Sequence, residues 1–310
     1  MPELPDITVY TERLLALAGG QVLQRVRLLN PFLLRTALPP IGQVDGCRLV
    51  GVERLGKRVV LVLHPPLHPP LRPAASLGKE LLLVIHLMLA GRLRWLLPGA
   101  KLPGKIALAA FEFETGTLVL TEAGSRRLAS LHLLPDRAAL AAMDPGGVEV
   151  FETDVAGFSA ALRHGNHTLK NALTDPHLFS GIGSAFSDEI LHRARLSPLA
   201  KTRSLDDAAV QQLFGATRAV LSEWTDRLRA QALADGGWPN KVTAFRPEMA
   251  VHGRYGLPCP DCGAPVQRIV YGAHETNYCA RSQTGGKLLA DRAMSRLLKG
   301  DRPKTLDDLP

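Results

Sequence analysis

Apolar positions along the chain fall into three textures. Ile7, Tyr10, Leu14 and Leu17 recur at helical spacing and Gly19-Gly20 stops the run, which predicts a helix directly behind the first residues. From residue 22 to about 134 the pattern shortens to β-type runs at 21–29, 47–55, 58–63, 81–87, 92–97, 106–113 and 117–120. Turn residues separate them, with Thr115-Gly116 as a hairpin signal. Seven or eight short strands predict an antiparallel sandwich or barrel. The proline-rich stretch 65–77 reads as a surface loop. The strand texture ends around 135–148, and helical patterns follow at 157–164, 168–174, 184–194 and 206–234. The last is well marked: Ser204 can cap it, Asp206 and Asp207 sit in its first turn, and Leu213, Val220, Trp224 and Leu228 form a core-facing stripe. Gly236-Gly237 ends it. No internal repeat interrupts this order.

Composition narrows the class. A chain of 310 residues, 46% hydrophobic, can bury two cores and is globular rather than disordered. A net charge of +8 and a pI near 9.6 point to a polyanionic partner such as nucleic acid. No apolar run reaches the ~18 residues of a membrane span, and no basic segment followed by an apolar one marks a signal peptide. Four cysteines, three of them clustered near the C-terminus, fit a metal-type site in a cytosolic protein better than a disulfide scaffold.

Three places could carry chemistry. Removal of Met1 would leave Pro2 with a free secondary amine; an α-amino group titrates near ~8, so part of it is nucleophilic at neutral pH. Glu3 beside it could move protons, and the following helix end would favour its carboxylate. The same six residues could equally be an ordinary terminus. Lys57 lies in a tight turn, 55–58, where a lysine is usually only solvated but would meet phosphates if that edge faced DNA. Gly181-Ile182-Gly183-Ser184 opens a helix, as in phosphate-binding turns, although a plain helix–helix turn would look the same. Cys259-x₂-Cys262-x₁₆-Cys279-x₂-Ser282 has zinc-ribbon spacing with serine in the fourth place. Water or His274 could substitute there, or the ribbon could be held by packing without metal.

These segments together resemble the formamidopyrimidine-DNA glycosylase and endonuclease VIII family. The start Pro2-Glu3-Leu4-Pro5-Asp6, the turn Gly56-Lys57, the loop 86–91, the segment Ser125-Arg126-Arg127-Leu128, the stretch 175–191 and the run from Phe245-Arg246-Pro247 to Cys279 occur in the family's order. The chain departs from the family at Asp6, Leu89, Leu128, Ser184, His274 and Ser282.

The resemblance implies an α+β multidomain fold. Its N-terminal antiparallel β-sandwich with a leading helix would occupy 1–135, followed by a linker at 136–150. A helix–two-turn–helix domain would occupy 151–245, a zinc-ribbon-like hairpin 246–290 and a tail 291–310.

It also implies a bifunctional glycosylase and abasic-site lyase of base-excision repair. Pro2, Glu3 and Lys57 would be catalytic. Leu89, Arg126, Arg127, Lys170, Ser184 and His274 would contact DNA, and Cys259, Cys262 and Cys279 would hold Zn²⁺. The partner implied is double-stranded damaged DNA, met by a cytoplasmic monomer. An enzyme preferring oxidised pyrimidines or only abasic sites, or a non-catalytic binder of the same fold, are the alternatives.

Overall fold

Helix α1 (Leu4–Ala18) begins with Pro5 in its first turn and Asp6 accepting the Glu3 N–H at 2.9 Å. Ile7, Tyr10, Leu14 and Ala18 are buried along one face, and Gly20 closes the helix at φ 78°. The structure, a computed structural model, describes residues 1–66, 80–124, 126–243, 245–272, 274–289 and 303–309. Most of the proline-rich stretch 65–77 therefore lies outside the described residues, as does most of the expected tail 291–310.

The chain divides into two units, Met1–Pro145 with Trp224–Val242, and Gly146–Glu223 with Thr243–Pro310. In the first, β1 (Arg25–Leu28), β2 (Arg48–Leu55), β3 (Arg58–His64), β4 (Leu81–His86), β5 (Gly91–Leu96), β6 (Ala107–Phe113), β7 (Gly116–Glu122) and β8 (Ser130–Leu134) form two four-stranded antiparallel sheets. Their orders are β1-β6-β7-β5 and β2-β3-β4-β8. Alternate residues such as Val59, Leu61, Leu83, Ile85, Phe111, Leu118 and Leu120 share one core with α1, so the arrangement is a sandwich. The expected linker 136–150 is partly helical: α2 (Arg137–Ala141) is capped by Asp136, and Arg137 pairs with Glu53 and Glu80.

The second unit holds α3 (Val155–Arg163), α4 (Leu169–Thr174), α5 (Ser184–Arg193) and the start of α6 (Asp207–Ala234), then β9 (Gln267–Tyr271), β10 (His274–Tyr278) and α7 (Ala280–Thr284). Asp154 caps α3 and Thr168 caps α4. Phe158 packs between Phe179 and Phe214, at centroid distances of 4.7 and 5.3 Å. The unit boundary falls inside α6 at Glu223/Trp224. From Trp224 onward the helix belongs to the first unit, where Leu228 and Ala232 bury against Val9 and, just beyond, Trp238 Nε1–H donates to the Leu93 carbonyl at 3.0 Å.

Candidate active site and nucleic-acid interface

Register brings the first unit's candidates to one edge. Arg58 opposes His86 and His86 opposes Ser130, so the turn before β3, the loop after β4 and the segment before β8 leave the same end of one sheet. The other sheet adds the pair Gly91–Glu122. Gly56 stands at φ 59° in the first central position of the β2–β3 turn, where a two-residue hairpin favours glycine, and puts Lys57 at its tip.

The loop 87–90 is tightly made. Leu87 is buried, Met88 is left-handed at φ 51°, and the Gly91 N–H donates to the Leu87 carbonyl at 2.9 Å. A Cβ on Gly91 would lie 2.2 Å from that carbonyl oxygen, so only glycine fits. The result is Leu89 held outward, 62% exposed. Arg126 and Arg127 are also exposed, and Arg127 donates to the Lys105 carbonyl at 2.6 Å. Glu122 is fully buried; its carboxylate accepts the N–H groups of Leu128 and Ala129 at 2.9–3.1 Å and so fixes the end of the arginine segment.

The chain start reaches the same edge. Pro2 and Glu3 are buried, and the amino group of Met1 is held below its ordinary value, first by burial. Glu3 and Asp6 oppose that shift, while Arg92 and Lys57 reinforce it, so all four lie within electrostatic reach of the amine. The amine adjoining Pro2 and Glu3 is thus brought within reach of Lys57. Arg92 is a residue that periodicity missed, because at the start of a strand it reads as a solvated position. Its guanidinium donates to the carbonyls of Val242 (2.6 Å), Gly91 (2.7 Å) and Leu89 (3.2 Å), bracing the loop that carries Leu89. His86 was missed likewise; burial, then Arg58, Lys57 and His132, push its imidazole down to about 4.

In the second unit the candidates divide. Ser184 is exposed at the start of α5, its hydroxyl donating to the Glu275 carbonyl at 3.3 Å, and Gly181 is left-handed at φ 79°. Lys170 corrects an expectation. It is buried, and its ammonium donates to Asp188 Oδ1 (2.6 Å), the Ser184 carbonyl (2.6 Å) and Ser187 Oγ (2.8 Å). Three donors on three acceptors leave nothing for a phosphate. Asp188 also accepts from the Asn277 N–H and faces His252 Nδ1 at 2.7 Å, while Glu189 accepts the N–H groups of residues 250–252, so α5 is bonded to the ribbon region.

The backbone of His274 opens β10 opposite Tyr271, at the turn end of the hairpin; its side chain lies outside the described part. Five residues of strand, about 16 Å, separate its backbone from that of Cys279. The sulfurs of Cys259, Cys262 and Cys279 do converge, all within 4.8 Å of one another. Burial pushes the Cys259 thiol up to about 12. Burial would raise Cys279 too, but the neighbouring Ser282 hydroxyl and N–H, with the other two cysteines, outweigh it and hold that thiol down. Ser282 Oγ is buried without a hydrogen-bond partner of normal geometry. Three convergent sulfurs fit a thiophilic metal ion.

The family described as the formamidopyrimidine-DNA glycosylase N-terminal domain matches residues 1–131, and the one described as the formamidopyrimidine-DNA glycosylase H2TH domain matches residues 144–228. A formamidopyrimidine-DNA glycosylase of Thermus thermophilus is 33% identical over 294 residues, covering 92% of this chain and all of the relative. An uncharacterised formamidopyrimidine-DNA glycosylase-like protein of Mycobacterium tuberculosis is 40% identical over 158 residues, 51% of this chain and 95% of its own length. The crystal structure of the MutM (Fpg) protein from Thermus thermophilus superposes with a TM-score of 0.72 at 31% identity, covering 91% of this chain and 98% of that one. A MutM structure in complex with DNA containing carbocyclic 8-oxo-G gives a TM-score of 0.76 at 22% identity, a likeness of fold.

Proposed function

We propose that this chain, which belongs to the formamidopyrimidine-DNA glycosylase family, is a base-excision-repair glycosylase for oxidised purines that also cleaves the abasic site it makes. The observation that carries the reading is the chain start: Pro2 and Glu3 are buried together, and the half-buried Met1 amine beside them lies within reach of Lys57 and Arg92 and is lowered in basicity. Once Met1 is removed, Pro2 presents a secondary amine in that setting.

The damaged nucleotide is turned out of the duplex, at a cost of a few kcal/mol. Leu89 and Arg126, projecting from the braced loops, occupy the space it leaves. The unprotonated Pro2 nitrogen attacks C1′ of the deoxyribose, the C1′–base bond breaks and the base leaves with the bonding pair. Glu3 protonates the ring oxygen as the sugar opens, giving an iminium. The iminium accepts the electron pair from the adjacent C–H bond, whose proton passes to the Glu3 carboxylate left by ring opening, so that β-elimination expels the 3′ phosphate, and a second proton loss to solvent gives δ-elimination of the 5′ phosphate. Lys57 and Arg127 hold phosphate oxygens on either side.

In the second unit, Ser184 at the head of α5 and His274 on the hairpin are further phosphate contacts. Cys259, Cys262 and Cys279 hold Zn²⁺, which when bound fixes the ribbon's fold. We place the protein in the cytoplasm as a monomer on double-stranded DNA; no described helix is long and apolar enough to cross a membrane.

Borohydride reduction in the presence of abasic DNA tests the reading. The Met1-processed protein should become covalently linked to the DNA, and a form bearing one extra N-terminal residue before Pro2 should not. A processed protein that binds and nicks abasic DNA without trapping would refute the amine mechanism.

A further inference from the structure

The three-sulfur cluster leaves one question that its ribbon spacing does not answer: what compensates a site whose fourth position is a serine. The Ser282 hydroxyl is a poor metal ligand, and His274 stands at the far end of the hairpin. A different imidazole is close. His192, in the last turn of α5, is buried, and its Nε2 lies 3.3 Å from Cys259 Sγ and 3.8 Å from Asp261 Oδ2. With Cys259 as a metal-bound thiolate both neighbours are acceptors, and the ring proton then belongs on Nε2, directed at the sulfur. The distance suits an N–H···S hydrogen bond. His192 does not share the mutual convergence that the three cysteines show, so it acts on the site from behind one ligand and not from within it.

We propose that His192 is a positioning residue of the metal site, its Nε2–H donating to the Cys259 thiolate and so supporting metal binding by three sulfurs. This rests on the reading that the cysteines hold a metal. Three thiolates on a divalent ion leave one negative charge in a largely buried place, and an N–H aimed at a sulfur offsets part of it. Donors of this kind behind a ligand typically contribute about 10–100-fold to metal affinity. His192 also lies on the helix that begins at Ser184, so the same bond joins metal occupancy to the placement of α5.

The test uses the full chain loaded with ¹¹³Cd²⁺. A proton of His192 showing scalar coupling to cadmium through the N–H···S bond is the expected result. Direct ¹⁵N–¹¹³Cd coupling of ring size would make His192 a ligand and overturn the proposal, and loaded protein with no coupling to His192 would overturn it too. A protein that takes up no cadmium, cobalt or zinc would instead overturn the underlying metal reading.

Variants provide a second measurement. His192→Phe should lower Co²⁺ affinity about 10–100-fold and shift the sulfur-to-cobalt charge-transfer band, with His192→Gln recovering part of both. If soluble His192→Phe binds cobalt as the parent does with an unmoved band, the hydrogen bond has no role.

Discussion

Lys170 Nζ and Asp188 Oδ1 form an ion pair 2.6 Å long, inside the second unit rather than on its surface. The Asp188 side chain is fully buried and that of Lys170 is only 10% exposed, so removing one partner strands the other. Breaking such a pair typically costs about 3–5 kcal/mol. Lys170→Ala should therefore lower the unfolding free energy by about that much, read as a lower urea midpoint at an unchanged m-value. It should leave the salt dependence of DNA binding by the remaining folded protein unchanged. A normal midpoint with a shallower salt slope would restore Lys170 to the phosphate contacts.

Lys57 should behave in the opposite way. It stands half-buried at a hairpin tip, outside the hydrophobic core. Lys57→Ala should weaken binding to any DNA sequence alike and reduce the slope of log K against log[salt] by about 0.9, the value for one phosphate neutralised. Titrations between dilute and physiological salt check it; an unchanged slope would mean that Lys57 touches no phosphate.

These two lysines show what was legible in the sequence. The strands were, because turn residues punctuate them and alternate positions are apolar. Lys57 was, because its turn is local. The Lys170 environment was not: its partner lies 18 residues on, and only the folding of α4 against α5 joins them. Helix α6 was read correctly as amphipathic, yet periodicity cannot say that its two halves serve different units. His192 follows Ile190 and Leu191 in a helix, where nothing local sets a histidine apart, and Arg92 gains its meaning from a carbonyl 150 residues away. In each case the missing information was tertiary.

Acid should weaken the first unit through His86. Its folded value is about 4 against 6.5 when unfolded, lowered by burial and then by Arg58, Lys57 and His132. Above pH 6.5 the ring is neutral in both states and its contribution is complete. As pH falls from 6.5 toward 4, the unfolded chain takes up the proton first, and stability declines. The loss is at most about 3 kcal/mol at about 1.36 kcal/mol per unit. His86→Gln should flatten this window, leaving a residual slope from His132, whose burial shifts it in the same direction. Chemical denaturation at about pH 7 and about pH 4.5 on both proteins measures it, and equal declines would show that His86 is not the group responsible.

Ser282 offers the most direct test of the metal site. Its buried hydroxyl lies against the Cys279 sulfur without normal hydrogen-bond geometry, so it is poorly satisfied and its removal costs little. In metal-free protein Ser282→Ala should accordingly be neutral or stabilising. Ser282→Cys places a fourth thiol on the first turn of α7, three residues after Cys279, in the ligand position of the ribbon spacing. Because binding energy in so small a unit is folding energy, the closed site should hold its ion longer against a chelator and protect the hairpin amides from hydrogen exchange. Affinity for abasic DNA should rise with that order. The comparison is between parent, Ala and Cys proteins, each assayed for zinc per chain before and after chelator treatment. If the parent keeps one zinc as firmly as the Cys variant while the Ala variant loses it, the serine oxygen closes the site as a ligand, and the three-sulfur account fails.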